Sequence, residues 1–409
     1  MPNTYRIFSN TVESVKNPSI IVALIHDAQR GWCQQFAEEG YDVVQVFYPS
    51  SSLADLSVAL DATGEHVKTS GKLWALVTYG LLVDDNLSVS RLVEVAGIAN
   101  LRACVHYSPL LVTPFALLVP DTEGRYIQTL VHLASSQETV HAALQEIMTS
   151  DLLPAPRTSA DYALLTVHAY PKVEVSPPFP YLGKAPATVV AGEKSTVEPS
   201  ILSATSLAYS RTLDLLRRQL GPHFPLENLW EMHTYYEFVE RDAPKTMTTM
   251  VKVPYVNHVA TLTGGVGYEH LARFYKYHFT SASVTPPDTE LITVSRTVGS
   301  NRIIDEMIFK LSVILCTHTT EIDYFLPGIK PTGKPLEIAI VGVVAFRGDK
   351  LTFDYWDQAS VLVQLGIIDP IKVPAVAGVE TARKVLDPFG VPSNGLMERW
   401  KESEGLSID

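Results

Sequence analysis

The chain has 409 residues, too many for one ordinary hydrophobic core, so two domains are expected. Charged residues make up 19% and the hydrophobic set 46%, a globular balance that excludes a disordered chain. A formal charge of −12 without a basic stripe argues against a nucleic-acid or anionic-membrane partner, because phosphate neutralisation needs clustered Lys and Arg.

The three cysteines, Cys33, Cys104 and Cys316, are far apart and odd in number. They read as reduced structural residues of a cytoplasmic protein, with no metal-ligand spacing. The N-terminus lacks a basic stretch followed by an apolar one, so no secretory signal is expected. The most apolar run, Leu110 to Val119, is broken by Pro114 and is too short to span a bilayer.

From Ser19 to about Lys172, short aliphatic strands alternate with helical segments. Strands are expected at 20–25, 41–48, 73–78, 103–107, 128–133 and 164–170. Continuous apolar strands with helical spacers predict an α/β domain, a parallel sheet covered on both faces. The proline-rich stretch Ser176-Pro-Pro-Phe-Pro-Tyr-Leu-Gly-Lys-Ala-Pro reads as a linker. An amphipathic helix from about Ser206 to Leu220 follows, closed by Gly221 and Pro222.

Ile25-His26-Asp27 after the first of these strands resembles the dienelactone hydrolase branch of α/β-hydrolases. Such enzymes need a nucleophile on a tight strand-to-helix elbow, an acid after a later strand and a histidine near the end. In the elbow candidate Trp74-Ala-Leu-Val-Thr-Tyr-Gly-Leu-Leu-Val, Gly80 stands where the nucleophile belongs, and Leu82 and Val83 replace the glycines after it. A shifted register makes Thr78 the nucleophile but puts Leu76 where glycine is wanted. The acid position offers nothing before Glu138, Val175 stands where the histidine belongs, and His168 lies just upstream. The expectation is a pseudohydrolase that supports, dimerises or shields its neighbour.

From Leu226 the pattern changes to α+β. Helices are expected at Asn228–Val239, Ala243–Val251 and Tyr268–His278, with a run of antiparallel strands after them. Leu336–Phe346 and Leu351–Trp356 form a hairpin pair across Arg347-Gly-Asp-Lys, where Gly348 suits the first central position of a type II′ turn. In the strand from Pro254, Val256, His258, Ala260 and Leu262 share one face and Tyr255, Asn257 and Thr261 the other. A titratable ring on an aliphatic face must find a partner, and its proton affinity can move across neutrality.

Trp230-Glu-Met-His-Thr-Tyr-Tyr-Glu-Phe, Lys245-Thr-Met-Thr-Thr-Met-Val, Pro254 through Gly267, Asp305-Glu306, Leu326-Pro-Gly and Tyr355-Trp-Asp-Gln-Ala-Ser-Val-Leu-Val-Gln-Leu-Gly resemble the nuclear-transport-factor-2-like (SnoaL-like) domain. They are similar to the version fused behind dienelactone-hydrolase-like domains. The resemblance implies a curved antiparallel sheet wrapped by helices into a cone whose apolar interior holds a small molecule. The implied organisation is a degenerate hydrolase-like domain at 1–185, a linker and connecting helix at 186–225, the cone at 226–375, and a tail at 376–409.

Candidate catalytic residues are His258, Glu306, Asp305, Asp357 and Tyr236. Two adjacent acids on a strand put one carboxylate on each face, and the inward one suits acid–base work; the alternative is a salt bridge to Arg296 or Arg302. Asp357 serves equally as a helix N-cap. Tyr236 is a donor to a developing oxyanion. His233 and Glu237, four residues apart on a helix, can touch, and such a pair is more often a solvated surface pair. With Trp356, Tyr355 and His318, they complete the candidate substrate contacts. A longer connection between Asp305-Glu306 and His318 raises the prospect of a bulge that reverses which residues face inward.

Gly265-Val-Gly267 lacks the third glycine and the βαβ unit of a dinucleotide site, and the histidines show no zinc spacing. No cofactor and no metal are expected. The functional expectation is a cofactor-independent dehydratase, isomerase or cyclase acting on a polycyclic or polyketide-like small molecule, including the steering of a pericyclic closure. The rivals are an ester or lactone hydrolase and a non-catalytic binding protein. The expected partner is a small-molecule substrate, and a second copy of the chain is the macromolecular partner left open.

Overall fold

The computed structural model describes residues 5–50, 52–82, 86–110, 117–150, 153, 163–190, 196–258, 263–287, 289–311, 321–322, 324–326, 328–352, 355–356, 358–369 and 378–379. Two compact units are present: Met1–Val189 with Glu193–Phe224, and Val190–Gly192 with Pro225–Asp409.

The first unit is built on a seven-stranded sheet. Its strands are β1 (Tyr5–Phe8), β2 (Ile20–Ile25), β3 (Asp42–Phe47), β4 (Trp74–Tyr79), β5 (Leu101–Tyr107), β6 (Gln128–Ala134) and β7 (Leu165–Tyr170), in the order β1-β3-β2-β4-β5-β6-β7. Only β1, which the sequence pattern did not announce, runs antiparallel to its neighbour. Every residue of β2 and β4 is buried, with Val22, Leu24 and Leu76 in one core and Ile21, Ala23 and Val77 in the other. A strand buried on both faces needs no polar alternation, which is why these strands read as continuous apolar runs.

The helices of this unit are α1 (Gly31–Ala37), α2 (Leu53–Ser70), α3 (Asn86–Ala96), α4 (Glu138–Thr149) and α5 (Pro199–Leu220). The expected linker helix is therefore corrected: it begins seven residues early, at Pro199, and is part of this unit's core. Leu213 and Leu216 are fully buried, and Arg217 Nη2 pairs with Glu39 Oε2 at 2.7 Å. The proline-rich stretch is also packed and not a free linker, with Phe179 buried against Tyr107 and Tyr170.

The second unit carries a sheet of β10 (Thr289–Val298), β11 (Arg302–Leu311), β12 (Leu336–Arg347) and β13 (Lys350–Thr352), with β14 (Tyr355–Trp356) also paired to β12. The expected hairpin is present, with Arg347 paired to Lys350 and Gly348 at φ 59°. A separate hairpin joins β8 (Tyr255–His258) to β9 (Thr263–Val266). The remaining helices are α6 (Leu226–Thr234), α7 (Ala243–Thr248), α8 (Tyr268–Phe274) and α9 (Gln358–Gln364).

Two expected helices end differently from their reading. After α6 and α8 the chain widens into π-helical turns, Tyr235–Val239 and Tyr275–Phe279. The Glu240 amide reaches the Tyr235 carbonyl and the Thr280 amide the Tyr275 carbonyl, each five residues back. Hydrophobic periodicity alone does not separate such a turn from an α-helix.

Candidate functional site

The inner face of the second unit's sheet is set by alternation. On β11, Ile303, Asp305, Met307 and Phe309 are buried, whereas Ile304 is 44% exposed. On β12, Leu336, Ile338, Ile340, Val344 and Phe346 are buried. These faces and the helices enclose a cavity of about 60 Å³, counted as room for the centres of water molecules. One water needs about 10–15 Å³ on that measure, so the space suits a compact occupant unless side chains part. Aromatic and aliphatic residues dominate the wall, and its ionisable groups include His233, Glu237 and His258.

His258 ends β8, whose burial alternates as the period-two reading requires: Val256 and His258 in, Tyr255 and Asn257 out. Gly264, opposite Asn257, has φ +118°, and a Cβ there would lie 2.2 Å from the Val256 carbonyl oxygen. Glycine is therefore required for β9 to close on the histidine strand. Phe274, Tyr324 and Phe325 pack around the imidazole at 5.6, 5.6 and 6.4 Å between ring centres. This burial pushes its pKa down to about 4, so the ring is neutral at neutral pH.

The tautomer follows from a neighbour. Thr263 Oγ1 donates its proton to the Tyr324 carbonyl at 2.8 Å, so at 3.0 Å from His258 Nδ1 it accepts. Nδ1 carries the hydrogen and Nε2 the lone pair.

His233 and Glu237 are not the surface pair that their spacing suggested. They are 3% and 7% exposed, and Nε2 of the ring lies 2.9 Å from Oε1 of the carboxyl. Thr249 Oγ1 donates to the Thr246 carbonyl at 2.6 Å and therefore accepts from His233 Nδ1, also at 2.6 Å. With Nδ1–H fixed, a bare Nε2 facing an ionised carboxylate would set two lone pairs together. One proton must lie between Nε2 and Oε1, as imidazolium with carboxylate or imidazole with carboxylic acid. The Tyr275 hydroxyl stands 3.3 Å from the same nitrogen. The i, i+4 spacing alone understates the pair; Trp230, His233 and Glu237, spaced i, i+3, i+7, form one buried face.

Asp305 is the inward acid, fully buried, but its carboxylate is committed. Arg296 Nε and Nη2 each donate to it at 2.8 Å, and Trp230 Nε1 donates at 2.8 Å. Arg296 is its direct partner across β10 and also reaches Glu231 at 3.1 Å. Such a fork holds α6 to the sheet and raises the guanidinium's proton affinity.

Glu306 points to the other face, where Ser295 donates to it at 3.1 Å; its candidacy as the inward carboxylate is corrected. The connection at 312–320, where a bulge was expected, lies outside the described residues; a register shift is present between Thr293 and Ser295 on β10, and β11 faces as alternation demands. Tyr236 is also corrected: it is absent from the cavity wall and lies beside Lys245, whose Nζ is 5.8 Å from its ring centre. Its neighbours Glu237 and Phe238 take the inward positions. Tyr355 and Trp356 pair with Val341 and Ile340 through the backbone. His318 and Asp357 lie outside the described residues, as do Ala260 and Leu262.

In the first unit, the elbow position is occupied by Gly80 at φ +67°, and a Cβ built there would lie 3.1 Å from Pro178 Cγ. Thr78 is fully buried and its hydroxyl bonds His106 Nδ1 at 2.8 Å. Tyr181 stacks on Tyr79 at 5.4 Å. His168 is stacked on His132 at 6.1 Å. His132 in turn is bonded to Tyr170 and Thr212, at 3.0 and 2.9 Å.

Among the described residues, no group of three or more His, Cys, Asp or Glu is placed to hold a metal ion, and no helix is long and apolar enough to cross a membrane. No family model matches the chain, and no curated protein matches it. Solved structures with nuclear-transport-factor-2-like and SnoaL-like folds match about a third of it. A putative SnoaL-like polyketide cyclase from Jannaschia sp. CCS1 is 13% identical over 36% of this chain and 99% of its own, with a TM-score of 0.27. TsrD from Streptomyces laurentii is 15% identical over 35% and 95%, at 0.27, and an LEH-like epoxide hydrolase from M. tuberculosis is 11% identical over 37% and 92%, at 0.24. At these identities and TM-scores the likenesses assign neither a residue nor a reaction to this chain.

Proposed function

We propose that the second unit is a cofactor-independent acid–base enzyme of the SnoaL-like kind, acting on a compact polyketide-like or cyclic small molecule by dehydration, isomerisation or ring closure. The observation that carries this reading is a neutral imidazole and a one-proton His–Glu couple lining the same small apolar cavity. His258 Nε2 accepts a proton from substrate carbon. The couple gives its proton to a substrate oxygen, either a carbonyl that becomes an enol or a hydroxyl that leaves as water. The two transfers balance, and the enzyme returns to its starting state by moving one proton from His258 to the couple through substrate or solvent. Positioned groups of this kind contribute typically 10²–10⁴-fold each.

We read the first unit as a hydrolase-like frame without its chemistry. Its parallel sheet and the tight turn at Gly80 support the resemblance. The nucleophile position carries no side chain, Pro178 packs over it, and Tyr181 stacks on the adjoining Tyr79.

The test is exchange of the α-hydrogens of cyclohexanone and related compact cyclic ketones in D₂O, followed by proton NMR. Exchange above the buffer rate, lost in His258→Ala and in Glu237→Gln, supports the reading. Exchange at the buffer rate across the ketone series, or exchange untouched by both substitutions, contradicts it.

A further inference from the structure

We infer that the cavity of the second unit is a site for a compact organic cation, taken up in exchange for the proton held between His233 and Glu237. This rests on the reading of that cavity as the working site; because the bound cation displaces the couple's proton, it is a ligand that competes with the substrate of the proton transfers above.

Eight of the described lining residues carry six-membered aromatic rings, among them Trp230, Tyr275, Phe279 and Tyr324. Aromatic faces attract ammonium groups, and the attraction grows when water is excluded. The wall also holds one carboxyl group, Glu237, and no Lys or Arg among the described residues. Among the described residues, an anion entering this space would meet no fixed cation. It could be neutralised only by proton uptake, and the burial of His258 among rings opposes charging that group.

A cation meets the reverse situation. Its arrival beside Glu237 lets the shared proton leave to solvent. His233 keeps its Nδ1–H on Thr249 and turns a neutral Nε2 toward the site. Glu237 becomes the carboxylate that pairs with the ligand. One positive charge enters and one leaves, so the cavity stays electrically neutral and no uncompensated charge is buried. Among the described residues, the ionisable groups around the couple do not supply a competing cation. Tyr275 faces it from the second π-turn, His258 lines the same cavity from β8, and the Arg296 guanidinium behind Trp230 is bound to Asp305 and Glu231.

Benzylammonium, benzyl alcohol and benzoate share one skeleton and differ in charge. Calorimetry on the full chain in two buffers of different ionisation heat gives both affinity and proton release, and the ring protons of His233 and His258 report whether the ligand is in the cavity. The expected result is benzylammonium binding about tenfold more tightly than benzyl alcohol, with about one proton released, and benzoate weakest. Glu237→Gln should remove the preference while leaving benzyl alcohol bound; if that variant does not fold, the proton count on the native chain decides. Equal affinity for the alcohol and the ammonium, or ammonium binding without proton release, overturns the inference and leaves the acid–base reading standing. Failure of all three to shift the histidine rings overturns both.

Discussion

His233 Nε2 and Glu237 Oε1 lie 2.9 Å apart, and Thr249 decides what that distance means. Because the Thr249 hydroxyl spends its hydrogen on the Thr246 carbonyl, His233 must present Nδ1–H to it, and the facing nitrogen and oxygen must share a proton. A donor couple is thus built into a wall that also holds a base, His258. The consequences can be measured separately.

Substitution of His258 separates catalysis from folding. His258→Gln keeps a donor for Thr263 and removes the imidazole base. Exchange activity should fall by about 100-fold or more with little change in circular dichroism, since one positioned base contributes about 10²–10⁴. Retention of most activity in a folded variant would remove His258 from the mechanism.

The pH dependence of stability follows from the same residue. Unfolded, His258 binds a proton near its ordinary pKa of 6.5; folded, it does so only near 4. Between those values the unfolded chain holds the extra proton, so stability present above pH 6.5 is lost as pH falls toward 4, by about 3 kcal/mol. In the first unit His106 behaves alike, its pKa lowered to about 4 by burial. Denaturant titrations from pH 7 to 4 should show this decline. His258→Gln should flatten it for the second unit and His106→Gln for the first. Unchanged slopes would mean that these rings are not held neutral.

The two adjacent acids of β11 should behave oppositely. Asp305→Asn leaves the Arg296 guanidinium facing a neutral amide and should cost about 3 kcal/mol of stability, the usual scale for breaking a buried pair. Glu306→Gln removes an exposed contact to Ser295 and should lie within about 0.5 kcal/mol of the native chain, with activity unchanged. Chemical denaturation and the exchange assay on both variants check the assignment of faces. A catalytic loss in folded Glu306→Gln would reverse it.

The elbow can be challenged directly. Gly80→Ser places a hydroxyl where a nucleophile would stand, but at φ +67° and against Pro178 it should cost about 1 kcal/mol or more and confer no ester hydrolysis. A serine-directed fluorophosphonate should label neither form. Labelling of the native chain at Thr78 would restore the hydrolase rival.

Much of the architecture was legible in the sequence, because burial writes itself into period. Strands β2 to β7 of the first sheet are readable as apolar runs, and the inward face of β8 as alternation. Helix α5 reads as part of a linker because partners such as Glu39 and Tyr41, which Arg217 reaches, are more than 150 residues away in the chain and local pattern carries no trace of them. The site was only half legible. His258 was found because a polar residue on an apolar face stands out. Glu237 was undervalued because i, i+4 His–Glu spacing looks the same on a buried helix and a wet one. Glu306 and Tyr236 were favoured by type, yet the face of a strand and the turn of a π-helix placed them away from the cavity.

Nitrogen-15 chemical shifts of the ring nitrogens of His233 and His258, followed from pH 7.5 to 4.5, test the central arrangement most directly. The account predicts that His258 stays neutral with hydrogen on Nδ1 until the pH approaches 4. It also predicts that His233 shows hydrogen on Nδ1 and a partly protonated Nε2 that becomes bare in Glu237→Gln. A His258 that titrates near 6.5, or a His233 with an unprotonated Nε2 in the native chain, would contradict it.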